Sequence, residues 1–400
     1  MSAEELLAAI SSVKEAAPGS LSEADRRALL EACADLRITL ENPMETTMRL
    51  SNSIYDTAAL ITAIDMGLFD AAVEQSTPTF TVDQIASKTK ADPLLILRIM
   101  RMLVGMRIFT EKGLQTYEMT PIAKAYVTGS PFKDIAIHLS SHAPVPAALP
   151  NYFLENGYTS PVDTLNGPFQ YGMRTDKQYF AWVAPQPRLQ AALNTVMGTN
   201  PGNSGQNWFE YYPVAEKMAV SDPSTDVVIV DVGGNRGVDL ASFKTKFPPS
   251  ILPGRAILQD QPAIIEKAKI ETPHDPALNI ELQGHDFFTP QPVKGAKAYY
   301  LRLVIHDWPD KEALEILSHI HDAMSEDSIL LLNETLVAEE GVPLYDAWMD
   351  MTMLALMSAL NRTESQWKTL LEKAGFELVK VWKPEVVLPG STTLFEARKR

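Results

Sequence analysis

The sequence predicts a doubly wound, mostly parallel α/β sheet in its carboxyl-terminal half, preceded by a smaller helical domain. Three observations carry this expectation. From about residue 220, apolar strand runs alternate with helical patterns: VVIVDV, DLASFKTKF, AILQD, PAIIEKAK, IELQGHDFF, AYYLRLVI, EALEILSHIHDAM and SILLLNETLV, with a last strand pair near FELVKVW and TLFEARK. Alternation of this kind requires parallel strands joined by covering helices. Second, Asp226–Gly237 reads DVVIVDVGGNRG. Its apolar run Val227–Val230 is a buried parallel strand by composition, and Gly233, Gly234 and Gly237 then turn the chain into a helix. Glycines at such a bend let backbone approach a nucleotide-like ligand, because no Cβ intervenes. Third, Asp231, Asp260, Asp286, His306 and Glu334 each fall at, or a few residues past, the end of an expected strand. That is the edge at which open α/β sheets bind ligands.

Composition narrows the function. The chain has 400 residues, 46% hydrophobic and 21% charged, with a net charge of −15. It is long enough for two or three domains with a sizeable core. An acidic chain with a pI near 5.0 is repelled by phosphate backbones and anionic membranes, so neither nucleic acid nor membrane is an expected partner. The single cysteine, Cys33, excludes an internal disulfide and any multi-cysteine metal site, and no metal centre is expected. The amino terminus, MSAEELLAAISSVKEAAP, has neither the basic region nor the apolar core of a secretory signal, and no stretch has the length of a membrane span. The expected address is cytoplasmic.

In chain order, residues 1–46 form a helical arm. Ser22 caps a helix over Ala24–Leu36, and Pro18 and Gly19 break the chain before it. Residues 47–135 give helix, short helix, longer helix and hairpin, which is the winged-helix order. Ile54–Phe69 has helical apolar spacing, Thr81 caps VDQIASKT, Asp92–Pro93 opens LLILRIMRMLVGM, and a hairpin turns at Lys112–Gly113. The third helix is apolar nearly all round despite Arg98 and Arg101, so it reads as buried in a protein interface rather than as a DNA reader. Residues 136–215 are a helical and loop connector rich in proline and aromatics, with a helical stretch at Lys177–Met197. Such a segment commonly closes over a ligand. His138 and His142 either face that ligand or are structural. Residues 216–400 form the sheet domain.

Asp260, ending AILQD, stands where a carboxylate accepts both hydroxyls of a ribose. Asp286 follows the next strand, and Phe287 beside it can flank an adenine ring. His306, after the strand YYLRLVI, carries the side chain best suited to removing a proton near neutral pH. Glu334 ends the adjacent strand, where it can hold the imidazole in one tautomer and stabilise the imidazolium. Alternatively His306 caps the helix after HDWPD. His319 and His321 lie on an amphipathic helix and read as structural.

VDVGGNRG, LQDQP, HDFF, YYLRLVIHDW, LLLNETLV and RTESQW, in this order, resemble the fungal branch of small-molecule O-methyltransferases, a family that includes plant caffeate and flavonoid enzymes. The likeness spans roughly residues 50–400. It implies a Rossmann-like fold with a winged-helix-like dimerisation domain, a homodimer interlocked through that domain, S-adenosyl-L-methionine as cofactor, and an aromatic or polyketide-derived small molecule as substrate. It further implies cofactor binding by Gly233, Gly234, Asp260, Asp286, Phe287 and Arg302, with His306 as general base and Glu334 as its partner. Met349, Met353 and Met357 match a region that packs on a flat acceptor, or form a core stripe.

Two positions depart from the family pattern. Asn235 replaces a glycine of the cofactor bend, and asparagine tolerates left-handed backbone. Asn361 stands where the family has a second carboxylate beside the base, so His306 loses one negative neighbour and is expected to be a weaker base. Some members of this fold bind adenosylmethionine yet act as pericyclases, dehydrating and cyclising a substrate without methyl transfer. Methyl transfer, favoured by His306 and Glu334, therefore stands beside pericyclic chemistry, favoured by Asn235 and Asn361. A winged-helix DNA-binding regulator is the third reading, which the acidic charge opposes.

Overall fold

The computed structural model describes residues 3–15, 21–198, 206–222, 224–271, 275–387 and 390–400, and divides into two compact units, Met1–Thr128 and Gly129–Arg400. The stretch read as a connector thus belongs to the second unit. Pro18 and Gly19 lie outside the described residues.

The first unit runs α1 (Ala3–Glu15), α2 (Glu23–Leu40), α3 (Pro43–Asp65), α4 (Leu68–Val73), β1 (Thr79–Thr81), α5 (Val82–Thr89), α6 (Pro93–Gly105), β2 (Phe109–Gly113) and β3 (Thr116–Met119). Ser22 caps α2 by accepting the Asp25 amide. α3 begins well before Ile54. Asn42 and Glu45 form a reciprocal capping box around Pro43, which occupies the first helical turn at no cost in hydrogen bonds. Thr81 with Gln84 and Asp92 with Pro93 start α5 and α6 as their sequences imply. β1, β3 and β2 form a three-stranded antiparallel sheet. Its hairpin turns at Leu114–Gln115, slightly later than expected, because Gln115 takes the left-handed conformation at φ 50°. α6 departs further. Ile96, Met100 and Leu103 are buried, but Leu94, Leu95, Arg98 and Arg101 are exposed, so a single chain covers one face of the helix and not all of it.

The second unit opens with helices α7 (Pro131–Ser141), α8 (Pro144–Asn156), α9 (Pro168–Met173), α10 (Tyr179–Val183), α11 (Pro187–Gly198), α12 (Trp208–Tyr211) and α13 (Val214–Lys217). The proline-rich HAPVPAALP is therefore helical. Pro144 sits at the permissive start of α8, and Pro150 inside it forfeits a backbone bond the helix survives. The expected single helix over Lys177–Met197 is two, α10 and α11, because Pro185 and Pro187 prevent its continuation.

The sheet domain follows: β4 (Val227–Val232), α14 (Val238–Lys246), β5 (Arg255–Asp260), α15 (Pro262–Glu271), β6 (Ile280–Gly284), β7 (Ala298–Arg302), α16 (Asp310–Ala323), β8 (Ile329–Thr335), α17 (Leu344–Met357), α18 (Glu364–Lys373), β9 (Phe376–Trp382) and β10 (Thr392–Lys399). The order across the sheet is β6-β5-β4-β7-β8-β10-β9, parallel from β6 to β8 and antiparallel where β10 pairs with β8 and β9. The order reverses beside β4, which makes the β4–β7 boundary the switch point where a crevice opens. Both faces are covered. Val230, Leu301 and Leu332 pack with α16 and α18 on one side, while Ile229, Tyr300 and Leu331 pack with α14 on the other. Burial on both faces explains why all of β4 is apolar except its acid near the end. Among the described residues no helix is long and apolar enough to cross a membrane.

Candidate active site

The bend after β4 is built for close approach. Gly233 and Gly237 have φ of 75° and 72°, and Asn235 occupies left-handed space at 52°. A Cβ on Gly234 would lie 2.5 Å from the Asp231 carboxylate and from Leu258, and one on Gly233 would lie 2.9 Å from Val304. The amides of Gly233 and Gly234 donate to the Gln259 carbonyl at 2.9 and 3.1 Å, which ties the bend to β5. Asp260 fixes it further: its Oδ2 accepts the Asn235 amide at 2.8 Å and its Oδ1 the Gln261 amide at 2.7 Å. Each carboxylate oxygen retains a lone pair for a ligand hydroxyl. Burial raises the pKa of Asp260 against the opposing pull of those two amides.

Asp231 is buried at the bend, and its Oδ2 has no hydrogen-bond partner. Burial, followed by the charge of Asp239, drives its pKa well up, with Arg302 opposing. A buried carboxylate oxygen without a donor is costly, and a ligand ammonium group is a chemical match for it. Asp239 accepts a short hydrogen bond from the Tyr300 hydroxyl, which also receives the Asn333 amide at 2.8 Å. Trp208 stacks on Tyr300 with ring centroids 5.0 Å apart and holds this floor flat. Phe287 lies beside the bend, 3.7 Å from where a Gly233 Cβ would stand, and packs edge-on against Phe288 and Trp308. Asp286 caps the short turn before them, accepting the Phe288 amide at 3.0 Å.

His306 sits in a single 3-10 turn, Ile305–Asp307, four residues after β7. Val304, which packs on the Gly233 bend, lies two residues before it. The imidazole Nδ1–H donates to Asn361 Oδ1 at 3.1 Å, which leaves Nε2 as the basic nitrogen, with Asp307 Oδ1 3.4 Å away. Asn361 is itself set by its amide, which donates to Asp350 of α17 at 2.9 Å. Burial alone would lower the His306 pKa. Asp307, Glu334 and the Asn361 hydrogen bond together outweigh burial, and, with Arg362 opposing, the pKa rises above 6.5. Asp307, next to the base in sequence, is the largest of the contributions that raise it.

Glu334, fully buried, directs Oε1 at the amides of Val304 and Ile305, at 3.1 and 2.8 Å, rather than at the ring. It acts on His306 through its charge and by holding the turn. Burial raises its pKa, and His306 pulls the other way. The structure therefore gathers the glycine bend, Asp260, Phe287, His306 and Glu334 on one edge of the sheet.

Helices α8 to α11 share a core with α17. Phe169 and Tyr179 share a core with Ala355, Leu356 and Met357, and Gln178 donates to the Met357 sulfur at 3.6 Å. Met357 is buried in that core, whereas Met349 and Met353 are half-buried. His138 pairs with the Tyr179 hydroxyl at 3.3 Å, and the His142 ring is 5.9 Å from it. Burial lowers both imidazoles, His142 to about 4, so both are neutral. The Tyr179 phenol is raised, first by burial and then by the Asp307 charge. His319 is structural: its Nε2–H donates to the Phe288 carbonyl at 3.1 Å. Sequence reasoning did not single out Asp307, Asp239, Tyr179 or Arg362. Asp307 and Arg362 lay inside quoted motifs, while nothing local distinguished Tyr179 from the aromatics around it.

Two family models match the chain: an O-methyltransferase domain over residues 214–377 and an O-methyltransferase dimerisation domain over residues 48–129. Methyltransferase cfoC of Aspergillus candidus is 33% identical over 94% of this chain and 92% of its own. The structure of LepI in complex with SAM covers 100% of both chains with a TM-score of 0.86 at 27% identity. A structure described as a pericyclic reaction enzyme covers 99% of this chain and 100% of its own, with a TM-score of 0.85 at 27% identity.

Proposed function

The chain belongs to the O-methyltransferase family, and on that premise we propose that it methylates a phenolic or enolic oxygen of a small, polyketide-derived or other aromatic molecule of fungal secondary metabolism. The observation that supports this best is the His306 turn: a half-buried imidazole, oriented by Asn361, on a segment that packs against the glycine bend. S-adenosyl-L-methionine, when bound, supplies an electrophilic sulfonium methyl. Gly233 and Gly234 would admit its backbone-facing edge, Asp260 its ribose hydroxyls, and Asp286 and Phe287 its adenine. Asp231 and Arg302 suit the two charges of its amino-acid end.

The chain's own groups then act on the acceptor. His306 Nε2 takes the hydroxyl proton as oxygen becomes nucleophilic, and Asp307 and Glu334 stabilise the imidazolium that results. Phe169, Tyr179 and Met357 form a dry apolar core between α9, α10 and α17. Neutralisation of opposite charges is favoured where water is scarce, and holding oxygen near the methyl supplies much of the remaining acceleration. The dimerisation-domain match and the exposed apolar residues of α3 support a homodimer formed through the first unit.

A second reading, pericyclic chemistry without methyl transfer, is favoured by Asn361 in place of a carboxylate and by the likeness to the pericyclic reaction enzyme. The two are separated by product mass. Incubating the protein with adenosylmethionine and phenolic or enolic polyketides is expected to give a product heavier by one CH₂ unit together with adenosylhomocysteine. An isomeric or dehydrated product without adenosylhomocysteine would overturn methyl transfer.

A further inference from the structure

The turn that carries His306 is held from both sides by buried charges, and only one of them belongs to the expected machinery. On the amide side Glu334 accepts from Val304 and Ile305. On the carbonyl side Arg362, 1% exposed, donates from Nη1 to the Ile305 carbonyl at 3.2 Å and from Nη2 to the Trp308 carbonyl at 3.0 Å. The same guanidinium is anchored by Asp310 at 2.8 Å and stacks over Trp367 with its carbon 5.3 Å from the ring centroid. Its donors thus bracket His306 and Asp307.

The turn needs such bracing. Leu303, two residues before it, has φ 51°, a left-handed conformation that a leucine holds only where its surroundings impose it. Asn361, which orients the imidazole, is the neighbour of Arg362 in sequence, so one dipeptide fixes both the ring and the backbone beneath it. A lysine in place of Arg362 would supply a point charge without a planar fork and could not serve both carbonyls and the carboxylate together.

We propose that Arg362 is a positioning residue for the general base: it clamps the 305–308 turn so that His306 Nε2 meets the acceptor oxygen. The inference rests on His306 being the base. The clamp acts on geometry and charge separately, so two substitutions divide its roles.

The test compares Arg362→Met, Arg362→Lys and Asp310→Asn with the native dimer, each checked first for its thermal unfolding. Methyl transfer is followed across pH. Arg362→Met is expected to lower kcat about tenfold or more with little change in KM, and to move the acidic limb of the pH profile upward, because a cation near the imidazole is gone. Arg362→Lys is expected to lower kcat while leaving that limb in place. Asp310→Asn, at a half-exposed anchor that leaves the core intact, is expected to lower kcat by a smaller factor. A folded Arg362→Met with native kcat and native limb overturns the proposal. If that variant does not fold, native kcat in Arg362→Lys or Asp310→Asn overturns it instead. Loss of activity in His306→Ala beside native behaviour in the Arg362 variants condemns the clamp alone, whereas an active His306→Ala condemns the underlying reading.

Discussion

His306 draws its basicity from neighbours on three separate pieces of chain: Asp307 in its own turn, Glu334 on β8 and Asn361 after α17. Because these raise the imidazole above 6.5 against the effect of burial, the neutral, active form is lost as pH falls through a midpoint above that value. Methyl transfer should therefore rise with pH along a limb higher than that of a free histidine. Asn361→Asp puts a carboxylate beside Nδ1, and favours the imidazolium. Its acidic limb is expected at higher pH than the native one, with the maximal rate retained or increased; a limb that stays in place would show that Asn361 does not govern the base. The residue types at the site were largely legible, since strand ends pick out Asp231, Asp260, His306 and Glu334. Their pairings were not. Adjacent strand ends suggested Glu334 against the ring, whereas Glu334 binds the Val304 and Ile305 amides and Asn361 takes the imidazole. Which of two nearby acceptors a ring meets depends on a turn whose left-handed Leu303 has no signature in sequence.

Elements with strong local signals were legible, and those set by packing were not. The caps at Ser22, Thr81 and Asp92 sit where their side chains accept helix amides. α8 was obscured by prolines that tertiary packing tolerates. The extreme case is Gly172, where a Cβ would stand 2.7 Å from the Val145 Cα, a helix crossing that no periodicity reveals. α3 and α6 make the opposite point, because they are more apolar than a single chain can bury. Met44, Met48 and Tyr55 fall on one exposed face of α3, and Leu94 and Leu95 are exposed on α6. A second copy of the chain is the occupant the dimerisation-domain match supports. Replacing Met48 and Tyr55 together by glutamate is expected to leave the first unit folded, since both are exposed, and to convert a dimer into a monomer. A dimer persisting in light scattering would place the interface elsewhere.

At the scale of the molecule, the doubly wound sheet was legible because its central strands β4, β7 and β8 are buried on both faces and write nearly continuous apolar runs. The switch point beside β4 is where sheets of this kind bind ligands, and the glycine bend and Val304 meet there. What remained illegible was the pairing of Tyr179 with His138, which helices distant in sequence bring together. If the glycine bend holds the cofactor while the imidazole at 306 handles the proton, the two functions are separable. The most direct measurement is adenosylhomocysteine affinity together with methyl-transfer turnover in His306→Ala. Affinity should stay within about twofold of native while kcat falls roughly 10²–10⁴-fold, the usual worth of a general base. Turnover at the native rate with unchanged affinity would contradict it.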